Sequence, residues 1–262
     1  MSIAQLPDVR IHYVVDGDVG SPPLLLSNSL GTSLEMWESQ ITMLASRFRV
    51  VRYDSRGHGT SEVTPGPYSI EQLAGDALGL LDALAIARAH FCGLSMGGMV
   101  GMWLGINAPG CIDRLVLANS GAKIATADLW NARIDAVRKG GTASIASAVL
   151  KRWFSPQVLE QPTPMIARLR ATFEAMSAEG YVASCAAVRD MDQRHALHRI
   201  HAPTLVIAGT DDRATPASDG RFVADRIHDA RYVELPAAHL SNIQAAPAFT
   251  QVLVQFLKGS EP

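Results

Sequence analysis

The chain has 262 residues, of which 48% are hydrophobic and 18% charged, so it can bury a large core and lacks the composition of a disordered protein. Its formal net charge of -2 leaves no basic excess with which to bind nucleic acid or an anionic membrane. Its three cysteines, Cys92, Cys111 and Cys185, are odd in number and widely spaced, which argues against a disulfide framework and favours a reducing compartment.

The first half of the chain alternates short apolar runs with helical patterns. Residues 23–27 (PLLLS) form an apolar run, as expected for a strand that is covered on both faces. Ser69 and Gln72 form the S-x-x-Q capping box of a helix whose apolar residues then recur at helical spacing. The predicted strands are 10–15, 23–27, 48–53, 89–93 and 114–118, and the predicted helices are 34–45, the one that opens at Ser69, and 96–107.

Helical patterns dominate from about residue 123 to residue 200, and the alternation of strand and helix then resumes. The predicted elements of the last part are strand 204–209, helix 216–227, strand 231–235 and helix 248–257. Such alternation predicts an α/β fold with a mostly parallel, twisted sheet flanked by helices. We expect residues 1–122 and 201–262 to form the core and residues 123–200 to form an inserted helical cap.

The N-terminal residues do not combine a basic start with an apolar core, as a secretory signal peptide would. No apolar run is long enough to span a bilayer. We therefore expect a cytoplasmic protein that has neither a membrane nor a nucleic acid as its partner.

The strongest chemical signal is the Gly-x-Ser-x-Gly motif between Gly93 and Gly97, with Ser95 at its centre. The motif follows a predicted strand and opens a predicted helix, which is the context that a nucleophile elbow requires. The turn is sharp, and the flanking glycines let the backbone of the strand and the helix approach closely. The alternative is a glycine-rich turn whose serine only caps the helix. The strand–turn–helix context favours Ser95 as a nucleophile.

A serine hydroxyl needs a base to become a good nucleophile, and that base needs a group that orients it. His239 follows predicted strand 231–235 and is the candidate base. The adjacent acids Asp211 and Asp212 follow predicted strand 204–209, so either could orient the histidine. Taken singly, His239 could be a surface histidine and Asp212 a helix cap, but all three groups follow predicted strands of one sheet.

A tetrahedral intermediate at Ser95 would need hydrogen-bond donors for its oxyanion. The backbone N–H of Met96 opens a helix, where unpaired donors and the helix dipole favour negative charge. By position, the N–H of Leu30, in the loop after predicted strand 23–27, is the second donor.

Nothing in the sequence indicates a cofactor. His195, His198 and His201 are three residues apart, but no carboxylate or cysteine completes a metal site with them. No glycine-rich loop carries a nucleotide-binding pattern. We expect neither a metal nor an organic cofactor.

The chain resembles the α/β-hydrolase superfamily in the segments SNSLGTSLEMW, VVRYDSRGHGTSE, CGLSMGGMVG, RLVLANS, PTLVIAGTDD and AAHLSN. The resemblance runs from about residue 10 to residue 257, is weaker through the cap, and is greatest to the 3-oxoadipate enol-lactonases of the β-ketoadipate pathway. The order Ser, Asp, His is that of the superfamily. Its usual G-x-x-D loop before a proline favours Asp212 as the acid, with Asp211 as the alternative.

The resemblance implies a reaction and a small-molecule lactone substrate. Ser95 would attack the lactone carbonyl of 3-oxoadipate enol-lactone with His239 as base, and water would release 3-oxoadipate from an acyl-enzyme. The substrate carries a free carboxylate, whose burial is costly without a cationic or donor-rich partner. We hypothesise that Trp130 and Arg133 of the cap and Ser29 of the oxyanion loop line the substrate pocket.

Three other functions fit the same motifs. The first is a carboxylesterase or a carbon–carbon bond hydrolase, because the same three residues serve each reaction. The second is a receptor that binds a small ligand with little or no hydrolysis. The third is cofactor-free perhydrolysis. Dehalogenase and epoxide hydrolase chemistry is disfavoured, since those relatives carry aspartate where Ser95 stands.

Overall fold

A computed structural model describes residues 2–161 and 163–259. Its centre is one eight-stranded sheet with the strand order β1-β2-β4-β3-β5-β6-β7-β8. β1 and β2, and β2 and β4, pair antiparallel, and every other neighbouring pair is parallel. The strands are β1 Ser2–Gln5, β2 Arg10–Asp16, β3 Pro23–Ser27, β4 Arg49–Tyr53, β5 Ala89–Leu94, β6 Ile112–Ala118, β7 Thr204–Gly209 and β8 Arg231–Leu235.

Helices cover the sheet and fill the long connection between β6 and β7. All six residues of β5 and all six of β7 are buried, as expected for strands with helices on both faces. The helices are α1 Glu38–Ala45, α2 Ile70–Ala83, α3 Met96–Asn107, α4 Ala127–Gly140, α5 Ala146–Trp153, α6 Pro156–Glu160, α7 Pro164–Glu174, α8 Ala178–Asp190, α9 Ala217–Ala224, α10 Ser241–Gln244 and α11 Ala246–Leu257.

The predicted α/β fold is confirmed, and the differences lie mostly at element ends. Residues 34–45 form a 3₁₀ helix, Leu34–Trp37, followed by α1, and not one continuous α-helix. The short edge strand β1 was not predicted, because its four residues show no apolar alternation that a sequence pattern could detect. The Ser69 side chain accepts a hydrogen bond from the Gln72 backbone N–H at 3.1 Å, so the predicted N-cap of α2 is present.

The connection between β6 and β7 contains α4 to α8 and, within its described residues, no strand. This agrees with the helical pattern that the sequence shows there. The division into core and cap at residues 123 and 200 stays a prediction. Within the two described segments, every helix is too short or too polar to cross a lipid bilayer.

The strand order reverses direction between β3 and β5, and this reversal determines where a site can form. β4 lies on one side of β3 and β5 lies on the other, so the loops that follow β3 and β5 diverge from a common crevice. Because parallel strands end at the same edge of the sheet, the loops after β6, β7 and β8 reach that edge too.

The loop after β4 is held by a buried ion pair. The guanidinium of Arg56 is almost fully buried, and its Nε donates to the Oδ2 atom of Asp76 on α2 at 2.7 Å. A further Arg56 nitrogen reaches the more exposed Asp8 at 3.2 Å. Burial raises the pKa of Asp76, although Arg56 acts in the opposite direction. The carboxylate therefore depends on Arg56 for its charge compensation.

We predict that Arg56→Leu lowers the free energy of unfolding by about 3–5 kcal/mol, because it leaves the Asp76 carboxylate buried without a partner. The double variant Arg56→Leu/Asp76→Leu should lose less, since it removes both charges. Urea denaturation of the two variants and the wild type measures this. A double variant less stable than Arg56→Leu would contradict the prediction.

Candidate active site

Ser95 lies between β5 and α3 in a strained backbone conformation. Its φ is 57° and its ψ is -113°, a region that L-residues rarely adopt. Its backbone N–H donates to the carbonyl of Ala118, the last residue of β6, at 2.9 Å. This geometry is that of a nucleophile elbow, in which a sharp strand-to-helix turn exposes the serine side chain at the edge of the sheet.

The glycines of the motif permit this turn because a side chain at either position would collide with the neighbouring backbone. A Cβ atom at Gly93 would lie 2.0 Å from the carbonyl oxygen of Gly97. A Cβ atom at Gly97 would lie 2.2 Å from the carbonyl oxygen of Ser27, at the end of β3. The motif therefore packs the start of α3 against two neighbouring strands.

His239 and Asp212 form a buried pair in the loops after β8 and β7. The Nδ1 atom of His239 lies 2.9 Å from the Oδ2 atom of Asp212, and both side chains are almost completely buried. Since Nδ1 faces a carboxylate, we assign the ring proton of the neutral imidazole to Nδ1. Nε2 is then left free to accept a proton.

Four further hydrogen bonds hold the Asp212 carboxylate. Oδ1 accepts from the backbone N–H groups of Ala214 at 2.7 Å and Thr215 at 3.0 Å. Oδ2 accepts from the Thr215 hydroxyl at 2.7 Å and from the Asn119 amide at 2.9 Å. Burial opposes the charge of Asp212, but His239 and these donors keep its pKa below the usual value. Asp212 is therefore an ionised acid that can orient and stabilise a histidine cation.

Within the described residues Asp211 forms no hydrogen bond or ion pair with His239. It is exposed and lines a surface cleft that Ser155 and Asp212 also line. Of the two acids that the sequence left open, Asp212 is the one that the structure places beside the histidine.

Ser95 and His239 line the same small cavity, of about 160 Å³. Within the described segments no hydrogen bond joins the two side chains. Such bonds are often long before a substrate binds. The three residues that the sequence singled out are thus brought together from three separate loops.

Of the two predicted oxyanion donors, Leu30 lines this cavity together with Ser29. Met96, the other, is the first residue of α3 and directly follows Ser95. Neither the Leu30 nor the Met96 N–H has a hydrogen-bond partner among the residues that the structure describes. Both donors are therefore available to a ligand.

Side chains from the connection between β6 and β7 form the opposite wall of the cavity. Trp130 and Arg133 of α4 line it, and the Arg133 guanidinium lies 5.0 Å from the centre of the Trp130 ring. Arg152 of α5, which sequence reasoning missed, lines it as well. Burial and the nearby charge of Arg133 lower the pKa of Arg152. In the described chain neither arginine forms an ion pair with a carboxylate.

Comparison with known proteins identifies the family of this chain. The sequence pattern of the α/β hydrolase fold matches residues 22–140. The chain is 41% identical to 3-oxoadipate enol-lactonase 2 of Acinetobacter baylyi, over 96% of this chain and 94% of that protein. The chain belongs to the α/β-hydrolase family. It is an enzyme of the hydrolase class.

Solved structures of other α/β-hydrolases superpose closely on this one. The enol-lactonase of Burkholderia xenovorans gives a TM-score of 0.97 at 45% identity, and the match covers 98% of this chain and 100% of that chain. A hydrolase of Pseudomonas aeruginosa gives a TM-score of 0.96 at 48% identity, covering 98% of this chain and 97% of that chain. The predicted fold and family are confirmed.

Three residues of this α/β-hydrolase site were not predicted. Asn119 follows β6 with a φ of 45° and donates to both Asp212 and the carbonyl of Ala238. Its amide oxygen accepts from the Ser241 hydroxyl, so it joins the acid loop to the base loop. Thr215 contacts both members of the pair, with its hydroxyl 3.3 Å from His239 Nδ1. For Asn119, a polar residue directly after a central strand was the available signal; Thr215 and Arg152 gave none.

We predict that Asp212→Asn lowers kcat by about 10⁴-fold, because the amide cannot hold the imidazole in the tautomer that accepts a proton from Ser95. Asp211→Asn is the matched control and should retain wild-type kcat. Steady-state hydrolysis of p-nitrophenyl acetate measures both, with thermal unfolding to verify folding. Equal losses in the two variants would contradict the assignment of the acid.

Proposed function

We propose that this α/β-hydrolase opens the lactone ring of 3-oxoadipate enol-lactone to give 3-oxoadipate, through a triad of Ser95, His239 and Asp212. One observation carries the proposal. A single cavity combines Ser95 and His239 with two guanidinium groups that lack carboxylate partners in the described chain. The relative in Acinetobacter baylyi carries the name of that activity. The cytoplasmic location stays a prediction from the sequence.

In the first half of the reaction Ser95 forms an ester with the substrate. His239 Nε2 accepts the hydroxyl proton as Ser95 Oγ attacks the lactone carbonyl carbon. The bond between that carbon and the ring oxygen then breaks, and the ring oxygen leaves as an enolate that takes the proton back from His239. The enol becomes a ketone, and the open chain stays attached to Ser95 as an acyl-enzyme.

The charge that develops on the carbonyl oxygen needs donors that are in place before the attack. The backbone N–H groups of Leu30 and Met96 supply them. Leu30 lies in the loop after β3 and Met96 opens α3, and both segments pack against the sheet, so little reorganisation is needed at the moment of reaction. The N-terminus of α3 adds its partial positive charge at the same position.

In the second half His239 takes a proton from water, and the resulting hydroxide attacks the acyl carbon. The second tetrahedral intermediate collapses, the proton returns from His239 to Ser95 Oγ, and the new carboxylic acid loses its own proton to solvent, so that 3-oxoadipate leaves with two carboxylates. Asp212 stays ionised throughout and stabilises the histidine cation in both halves.

Arg133 and Arg152 are the groups that fit the carboxylate of the substrate. An arginine fork pairs with a carboxylate through two parallel hydrogen bonds. Trp130 supports Arg133 by packing its ring against the guanidinium. The Arg133 Nη1 atom also lies 3.5 Å from the Tyr181 hydroxyl, which limits how far the side chain can swing. Ser29 lines the cavity from the oxyanion loop.

The first test is an assay on freshly prepared 3-oxoadipate enol-lactone. We expect rapid loss of the enol-lactone absorbance with the wild-type protein and none above the spontaneous rate with Ser95→Ala. Loss of p-nitrophenyl acetate is followed in parallel. Hydrolysis of the ester without hydrolysis of the lactone would support serine hydrolase activity and reject 3-oxoadipate enol-lactone as the substrate.

We further predict that Arg133→Met and Arg152→Met each raise KM for the enol-lactone at least tenfold, because a charge-assisted hydrogen bond contributes about 1.5–3 kcal/mol. Their kcat/KM for the neutral p-nitrophenyl acetate should change less than about threefold, as that substrate has no carboxylate. Arg138→Met is the control on the same helix as Arg133, since Arg138 is exposed. Equal losses on both substrates would reject a carboxylate site.

A further inference from the structure

Leu30, the proposed oxyanion donor, lies in a β-turn that is held by further hydrogen bonds in addition to the one that closes the turn. The Thr32 backbone N–H donates to the Ser29 carbonyl at 3.2 Å and closes the turn. Gly31, its third residue, has a φ of 87°, the value of a type II turn and one that glycine adopts without strain.

The Thr32 side chain makes a second contact with the same carbonyl. Its Oγ1 donates to the Ser29 oxygen at 2.8 Å, shorter than the bond from the backbone. The sulfur of Met36 also lies 3.0 Å from Oγ1. The hydroxyl has one proton, and a carbonyl oxygen accepts it better than a thioether does. Thr32 is completely buried, so water does not replace this bond.

This contact fixes the direction of the Leu30 N–H. The Ser29 carbonyl and the Leu30 N–H belong to one peptide unit, and in a planar trans peptide they point in opposite directions. Because the carbonyl points to Thr32, the N–H points away from the turn. Ser29 and Leu30 both line the cavity that holds Ser95.

The next peptide unit, between Leu30 and Gly31, is held by His58. The Gly31 N–H donates to Nε2 of His58 at 3.0 Å, and Nδ1 of the same ring lies 3.2 Å from the carbonyl of Arg56. These two partners require a neutral ring with its proton on Nδ1. His58 is buried, and burial lowers its pKa. Rotation of this central peptide is what converts a type II turn into type I, so His58 holds the type II form.

We propose that Thr32 and His58 are positioning residues, which hold the turn from Ser29 to Thr32 so that the Leu30 N–H is aimed at the oxyanion. The proposal rests on the serine hydrolase mechanism above but not on the lactone, because any ester that acylates Ser95 tests it. Neither residue is among those that line the cavity. Each acts through the backbone of the turn.

The test compares Thr32→Val, which keeps the shape of the side chain and removes its proton, with Thr32→Ser, which keeps the hydroxyl. We expect Thr32→Val to lose tenfold or more in kcat with little change in KM, since loss of one oxyanion donor costs about 10²–10³ in kcat. Thr32→Ser should recover most of this loss. His58→Leu should lose kcat in the same manner.

Two controls separate positioning from simple destabilisation. Thr204 is buried and its Oγ1 donates to the carbonyl of Ala202 at 2.8 Å, so Thr204→Val removes a similar bond at the other end of β7. His90→Leu is the matched control for His58→Leu, because His90 is also buried, at the start of β5. Both controls should lose thermal stability and keep wild-type kcat.

The decisive readout is the affinity for a trifluoromethyl ketone that forms a tetrahedral adduct with Ser95. Its oxyanion needs the Leu30 donor, so Thr32→Val and His58→Leu should weaken its binding by the same factor by which they lower kcat/KM on p-nitrophenyl acetate. Binding of adipate, which forms no adduct, should stay unchanged. Wild-type affinity for the ketone in both variants, or equal weakening in Thr204→Val, would overturn the proposal. If the wild type hydrolyses the ester but not the lactone, only the proposed substrate fails.

Discussion

The close packing of β5 against α3 is the constraint from which the chemistry of this protein follows. It forces Ser95 into a backbone conformation with φ of 57°, which costs about 1–3 kcal/mol for a residue other than glycine. The sheet and the helix tolerate that cost because Gly93 and Gly97 have no side chains in the space between them. As a result the Ser95 side chain, although largely buried, faces the cavity at the edge of the sheet.

The other groups reach Ser95 because they follow strands that end at the same edge. The reversal of strand order between β3 and β5 opens the crevice, with the oxyanion loop on one side and the nucleophile on the other. Asp212 and His239 follow β7 and β8, and Asn119, which follows β6, bridges their loops. The relative position of Asp212 and His239 is therefore determined by three strands, and not by either loop alone.

Much of this arrangement could be predicted from the sequence because its signals are local. The elbow is contiguous, and its glycines and serine predict one geometry wherever a strand precedes and a helix follows. The choice between Asp211 and Asp212 needed the resemblance to the α/β-hydrolases. Because the two acids are adjacent, only the conformation of the loop decides which of them faces His239. Thr215 and Arg152 were missed because their side chains are common on surfaces. Only the packing of distant segments turns them into the site, and single-sequence patterns carry no such information.

The two cavity arginines have a consequence for the end of the catalytic cycle. Burial and the mutual repulsion of the two guanidinium groups lower the pKa of Arg152, and an anionic ligand would relieve that repulsion. In the proposed reaction, hydrolysis would create a second carboxylate at the carbon that Ser95 had held. This new anion would form beside His239 and the ionised Asp212, so the product would be attracted at one end and repelled at the other. The same charges that attract the substrate would then favour release of the product, and Asp212, proposed to orient the base, would contribute to that release.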